Sequence, residues 1–586
     1  MSGHSTDQPN FTLLVGLAWL VIVGELLWMD WAQTATVLGD SDDAARLVEV
    51  RAFLAGRGWF DLHEPRLQPP IGYDTHWSRL IDAGLAGLFL LFHTMADTAL
   101  AERLMRVVWP LLWIAPAIVG TIAIAWRLAG RAAALVALLT LLFALPAFLQ
   151  FKPGRIDHHD VQITLTMLTL ASAIWADRVS WAAWTAGALS GLALAIGFES
   201  LPFIVLAGGV FVVRFVLDRK SSAALARYGL SIALSVALAF VISIGPSHWM
   251  LTACDAIAVN SAAPAILGGL ALSIAGYRFA DERLTIRFIA VLVAVGLATI
   301  AFVSLEPRCL GGPLAMIDPA IRPIWLMHVK EMQSLAAFTR INPASGAGIA
   351  AYPIAALLSA MLLARDAHLR RDSGFLAAVM ALLLAIAMMI VAIRATPYAI
   401  WLGIPFVAAA LLRLFASLKL ASLPARMLVT IPFTPMLLSI CAILIVEKIA
   451  PARQLDKEHT DDACFEIKNY QPLAQLPAGL VVTDVDWGPF MLALTPHSVL
   501  GAPYHRLSNG IVTSHRAFAA PPDKAREILL RAQATYVMTC GSKSPKEQTE
   551  SERQSSLWTQ LAAGNVPSWL EPIPNMGQFG VYRLKP

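Results

Sequence analysis

Charge is scarce in this sequence. Of 586 residues only 14% are Asp, Glu, Lys or Arg, while 57% are hydrophobic, against the roughly one-quarter charged share of a soluble domain. That shortage excludes a chain lying free in water, and a mean hydropathy of +0.63 fits a polytopic membrane protein. Neither sign of charge dominates. The net charge is only +4 and is spread among short loops, which leaves no basic footprint for a nucleic-acid partner. Five cysteines are too few for a disulfide scaffold, although Cys464 and Cys540 both fall in the polar C-terminal part and could pair if it faces an oxidising compartment. The polar stretch Met1 to Asn10 lacks the basic start of a signal peptide and no small-residue cleavage site follows, so the apolar run Phe11 to Met29 reads as a retained first span.

Long apolar runs, by contrast, are plentiful. After the first span come Val107 to Trp126, Ala132 to Leu149 and further runs ending with Met427 to Val446, which predicts about 13 transmembrane helices for a hydrocarbon core of about 30 Å. The run Ala83 to Phe92 is too short to span and reads as an interfacial helix. Arg127 and Arg131, Arg178, Arg219 and Lys220, Arg278 to Arg287, Arg365 to Arg371, and Arg413 to Arg426 occupy alternate loops. The positive-inside rule makes those loops cytoplasmic. The loops 30–106, 150–160 and 306–348 and the tail 448–586 then lie outside, as expected of a plasma-membrane protein with its C-terminal part extracytoplasmic.

The tail changes composition and reads as a small mixed α/β domain after the membrane part, 1–447. Gly479 to Asp484 and Ala534 to Thr539 have strand character, and Asp523 to Gln533 and Ser551 to Ala562 have helical spacing. So short a domain buries little core by itself, so packing on the membrane part or a Cys464–Cys540 bridge would help it.

Chemistry concentrates in Lys152-Pro-Gly-Arg-Ile-Asp-His-His-Asp160. Asp157 and His159 alternate, so in an extended segment both side chains leave one face at a spacing that suits two ligands of a divalent ion. Asp40 in the first external loop and Glu331 in the long one stand on the same side, with Arg394 and Glu199 at outer helix ends. Taken singly these are weak signals, and a lone Glu in a long external loop is ordinarily just solvated. Their shared side singles them out, and carboxylate with imidazole suits Mn²⁺ or Mg²⁺ better than a thiolate metal would.

These residues resemble a known family. Gly39-Asp40 followed by Arg46-Leu-Val-Glu49, Asp157-His158-His159, Val329-Lys-Glu331-Met-Gln-Ser-Leu and Ile393-Arg394-Ala-Thr-Pro-Tyr398 are similar to the motifs of the catalytic subunit of oligosaccharyltransferase, a GT-C membrane glycosyltransferase. The resemblance covers nearly the whole chain. It implies that Asp40, Asp157, His159 and Glu331 hold the ion, with Asp40, Asp157 and Glu331 catalytic, and that Arg394 meets the phosphate of a polyprenyl-linked sugar donor. It also implies an inverting transfer by a single subunit. Arg51, His76 and Arg155 stand near these positions with no motif to give them a role.

The tail departs from the family. In place of W-W-D-Y-G the chain reads Asp484-Val-Asp486-Trp487-Gly488-Pro489, so Asp486 and Trp487 are the candidates for acceptor recognition, and a lipid, glycan or other cell-envelope acceptor competes with protein asparagine. A reading from another class is a transporter or flippase, given the many spans and Glu199 among apolar residues. Against it, the acids sit in external loops and the chain carries no internal repeat.

Overall fold

In lipid a backbone must satisfy its own hydrogen bonds, so apolar runs of this length fold as helices. The computed structural model describes residues 10–449, 461–541 and 554–585. The polar start before Asn10, the first residues of the tail and the beginning of the Ser551 helix lie outside the described residues. Among the described residues eight helices are long and apolar enough to cross a membrane, or nine if the bent pair Leu423–Phe433 and Pro435–Ile449, inclined at 47°, is one span. The protein is a multi-pass membrane protein.

Three of the expected spans are shorter helices. His159–Trp175, Ala182–Ile196 and Leu201–Leu217 have 17, 15 and 17 residues. The runs at Val107 and Ala132 join into one element, Thr98–Leu141, broken at Ala129 and Gly130, where Gly130 adopts φ +78°. The second run leaves the helix well before Leu149. A 3₁₀ turn, Leu145–Phe151, takes over with Pro146 at its start, because proline has no N–H to continue an α-helical ladder.

The short run near Ala83 is the amphipathic helix Arg79–His93, whose buried side includes Ile81, Asp82, Leu85 and Ala86. Arg46 and Asp82, both without solvent exposure, pair at 2.8 Å, and Arg79 meets the other Asp82 oxygen at 2.9 Å. Arg46 also lies 4.5 Å over the Trp77 ring. This buried arginine therefore braces the segment 30–106.

Opposite charges collect at the far end of the bundle. Arg127 donates to Asp177 at 3.0 Å and to Asp372 at 2.7 Å, and Arg178 lies 3.5 Å from Asp372. Loops of one predicted side therefore converge there, while the acidic loops converge at the other end.

The tail forms a five-stranded sheet in the order Ser498–Val499, Leu480–Val482, Tyr536–Cys540, Phe579–Leu584, Leu570–Ile573. Its first two pairings are parallel and its last two antiparallel. Cys464 and Cys540 form a disulfide, and so do Cys254 and Cys309, a pair that spacing did not suggest. The sheet is seated on the segment 30–106. Gln68 N donates to Val499 O at 2.8 Å, Val499 N to Arg66 O at 2.9 Å, and Tyr504 Oη to Ser41 O at 3.0 Å.

Candidate active site

The site is built where two helices begin. Asp40 caps the helix Ser41–Leu54, its Oδ1 accepting from the backbone N–H groups of Asp42 at 2.9 Å and Asp43 at 3.2 Å, while Asp43 Oδ2 accepts from Asp40 N at 2.9 Å. Carboxylates are favoured at this end because the unpaired N–H groups carry the positive end of the helix dipole. Gly39 is required beside them. It adopts φ +94°, and a Cβ there would stand 2.2 Å from Asp43 Oδ2.

The second acidic stretch is pinned onto the first. Asp43 Oδ1 accepts from the backbone of Ile156 at 2.6 Å and of Asp157 at 3.1 Å. Arg155 pairs with Asp40, with Asp157 and, at 3.0 Å, with Asp43. Burial opposes ionisation of Asp157, but Arg155, His159 and His158 outweigh it and hold this carboxyl well below the usual range. Burial together with Asp40 and Asp157 outweighs the opposing effect of His159 on Asp42 and raises it to about 7. Burial, and next the positive field of His159, lower His158 to about 3.

His159 is the first residue of its helix and not part of an extended strand. Helix geometry, rather than alternation, brings it to Asp157, whose Oδ1 accepts from His159 N at 2.9 Å. His158 does not point away as alternation predicts; its ring lies 4.6 Å from that of His159 and lines the cavity over the site. His159 Nδ1 meets Glu199 Oε2 at 2.9 Å, and Arg394 bonds Glu199, then Glu331 at 3.1 Å and His159 Nε2 at 3.0 Å. Arg394 and His159 hold Glu199 well below the carboxylate range despite its burial.

Asp42, Asp157 and His159 offer ligand atoms all within 4.8 Å of one another, as do Asp40, Asp43 and Asp157. The first triple fits a divalent ion: two carboxylates and an imidazole of the type that binds Mn²⁺ or Mg²⁺. The second is already neutralised by Arg155. Asp157 is common to both. Glu331, on the short 3₁₀ turn Lys330–Met332, belongs to neither and lies on the Arg394 side.

A cavity of about 1360 Å³ opens over these groups, with Asp42, Glu199, Glu331 and Arg394 on one wall, Asp486 of the tail on another, and Met388 and Val391 giving an apolar flank. The structure separates the two tail candidates. Asp486 lines the cavity, whereas Trp487 is fully buried, so its indole packs in the core and cannot touch an acceptor. Arg51 ties Glu102 to Ala493 O at the base of the tail, away from the acids. His76, Asp255 and His505 form a separate group on the cavity wall.

Neither a protein-family model nor a curated protein sequence matches the chain. Solved structures do. The apo oligosaccharyltransferase of Archaeoglobus fulgidus superposes with a TM-score of 0.73 at 14% identity, over 97% of this chain and 80% of that one. The archaeal oligosaccharyltransferase AglB of the same organism, in complex with an inhibitory peptide and a dolichol-phosphate, gives 0.71 at 14% identity, over 96% and 79%. The chain has the oligosaccharyltransferase fold. A third structure, the Archaeoglobus fulgidus enzyme with Zn and sulfate, gives 0.58 at 15% identity, over 90% of this chain and 68% of that one. The fold agrees with the motif resemblance read from the sequence.

Two site residues escaped the sequence, and so did the contacts of a third. Asp42 and Asp43 lay beside Asp40 unassigned, although an acidic run at a helix start is the signal that could have flagged them. Glu199 stood out as a charge among apolar residues, with nothing to say that it meets both His159 and Arg394.

Proposed function

We propose that the protein is a GT-C glycosyltransferase that moves a sugar or oligosaccharide from a polyprenyl-phosphate-type donor to an acceptor on the extracytoplasmic face. The observation that carries this reading is the convergence of Asp42, Asp157 and His159 with Arg394, two of which, Asp42 and Arg394, line a cavity that also has an apolar flank. A dolichol-phosphate in a neighbour of the same fold supports the lipid donor. The zinc and sulfate of another neighbour support a cation beside an anion.

In this reading Asp157 and His159, with Asp42, hold a divalent ion, taken as Mn²⁺ or Mg²⁺, and Asp40 and Glu331 complete the set once their ion pairs with Arg155 and Arg394 open. The bound ion supplies Lewis-acid stabilisation of charge on the leaving phosphate. Arg394 binds the same phosphate by charge-assisted hydrogen bonds. Asp40 at the cavity edge accepts a hydrogen bond from the acceptor nucleophile and orients it for attack opposite the phosphate, which inverts the anomeric carbon.

The finer topology belongs to the same reading: about 13 spans in the plasma membrane as a single subunit, with the tail 448–586 a separate extracytoplasmic domain. Two disulfides in the predicted outer segments support an oxidising compartment on that side. The acceptor is a peptide, glycan or lipid. Burial of Trp487 favours a non-peptide acceptor, because no tandem indole faces the cavity.

The test is release of polyprenyl phosphate from a polyprenyl-linked sugar by purified protein with Mn²⁺. Chelator should abolish release, and Asp157→Ala should lower it at least about a hundredfold, as loss of a group acting only in the transition state does. Sugar appearing on asparagine peptides, or only on lipid or glycan, decides the acceptor. Chelator-resistant release, unchanged in Asp157→Ala, would refute the proposal.

A further inference from the structure

A second cavity, of about 350 Å³, lies between the segment 30–106 and the tail, with Arg51, Arg57, Glu64, Arg66 and Leu492 on its walls. Three guanidinium groups around one cavity repel one another unless anions stand between them. Glu102 takes up Arg51, accepting from Nε at 2.7 Å and from Nη2 at 2.8 Å. Glu64 serves the other two: its Oε2 accepts from Arg57 Nη2 at 3.2 Å, and its Oε1 lies 3.4 Å from Arg66 Nε. Glu49 also feels Arg57, but burial, and next Asp82, push it up to about 8, so it adds little charge at neutral pH. Three cations therefore face two anions, and one positive charge is left over.

Arg51 and Arg66 have a structural task as well. Arg51 Nη1 donates to Ala493 O, and Arg66 Nη1 to Thr495 O at 3.2 Å, so both hold the carbonyl end of the helix Gly488–Leu494, where cations are favoured. Arg57 has no such task. It gives one of a guanidinium's five N–H groups to Glu64 and, among the described residues, makes no side-chain hydrogen bond to the tail. Its side chain lines the cavity and keeps 18% of its exposure. Spare N–H groups in a rigid fork, beside a charge without a counterion, are what a phosphate-class oxyanion binds. The cavity also stands close to the membrane surface. Glu102 begins the long helix Thr98–Leu141, and its neighbour Arg103 lies 4.2 Å over Trp31 at the end of the first span, a side chain of the kind that sits among lipid headgroups.

We propose that this cavity binds a phosphate-class oxyanion through Arg57 and Arg66, and that the anion fastens the tail to the segment 30–106. The phosphate comes free or on a lipid headgroup, and the two sources present the same oxygens to the fork. The helix Ser41–Leu54 runs between this cavity and the acidic site, with Asp40 capping its start and Arg51 in its last turn. The inference stands apart from the ion and donor assignments of the proposed function.

The experiment titrates the full-length protein in a maltoside detergent, by calorimetry at constant ionic strength, with inorganic phosphate and separately with dihexanoyl phosphatidylglycerol below its critical micelle concentration. Wild type should bind at least one of the two saturably, and its Tm should rise with that probe, as mass action requires. Arg57→Gln should weaken the binding about 10–100-fold, the usual worth of a hydrogen bond to a charged group. Arg57→Lys, which keeps the charge without the fork, should lose less. Arg394→Ala, in the other cavity, should keep this binding. Tighter binding of the lipid makes the headgroup the ligand, and tighter binding of inorganic phosphate makes it the free anion. Wild-type affinity in both Arg57 variants, loss of all binding in Arg394→Ala, or no saturable binding of either probe to wild type would overturn the inference.

Discussion

Single residues do their work here by pairing across long stretches of chain. Asp255, in the loop before the helix Val259–Arg278, accepts from Arg506 at 2.8 and 2.6 Å and meets His505 at 2.6 Å, so it latches the tail to the membrane part above the cavity. Burial opposes its ionisation, yet hydrogen bonds from His505 and Arg506 hold the carboxyl far below its ordinary value. Because the folded-state value is depressed, the stabilisation is present in full above about pH 4, the unfolded carboxyl's range, and declines as the pH falls below it. Asp255→Asn should therefore destabilise the protein at pH 7 by about 1.5–3 kcal/mol, the usual worth of hydrogen bonds to a charged group. The gap in Tm between variant and wild type should narrow below about pH 4. A pH-independent gap, measured by differential scanning fluorimetry, would show that the carboxylate charge is not what latches the tail.

At the scale of elements, small residues decide how closely helices approach. The helices Ala182–Ile196, Ser222–Ser243 and Val259–Arg278 meet through glycines: a Cβ on Gly229 would lie 2.4 Å from Gly269 O, and one on Gly187 would lie 2.7 Å from Tyr228 O. Backbone contact of this kind is what drives helix association in lipid, where burial of apolar area gives no advantage. Gly229→Leu should push the two helices apart and destabilise the protein by about 1–3 kcal/mol, the usual cost of overpacking, read as a lower Tm. An unchanged Tm would mean that this contact is loose. Those helices were visible in the sequence because their apolar runs are long and bounded by arginines. Their seam was not, because apolar composition is the same on every face. The break at Ala129 and Gly130 falls in the Arg127–Arg131 loop read between two runs, whereas the turn at Leu145–Phe151 was missed for a related reason: hydropathy counts residues and does not register where a proline interrupts the ladder. At the site, Asp40, Asp157 and Glu331 were legible as charges kept on one side of a membrane, and the motif resemblance named them. Asp42 was not, and Glu199 was legible only as a charge among apolar residues, since the contacts of both are made only when segments far apart in sequence are brought together.

The whole molecule is polarised from end to end. Arg127, Arg178 and Arg214 gather with Asp177 and Asp372 at one end, whereas Asp40, Asp157, Glu199 and Glu331, both disulfides and the tail sheet belong to segments meeting at the other. Alternate loops had to return to the same side for this to happen, which is the parity that the arginine distribution demands. It requires Arg79–His93 to lie along the membrane surface and not cross, and its buried Arg46–Asp82–Arg79 group would be costly within hydrocarbon. The prediction is that Ala320 and Arg371, both exposed, face opposite compartments. Cys441 is the free cysteine among the described residues, so Cys441→Ser gives a background in which the remaining four are tied up as disulfides. In that background Ala320→Cys should react with a membrane-impermeant maleimide added outside intact cells, and Arg371→Cys should react only after the membrane is opened. Labelling of both from outside would break the parity. Arg371 and the loop that carries it would then share a compartment with the cavity, against the sidedness that the arginine distribution demands.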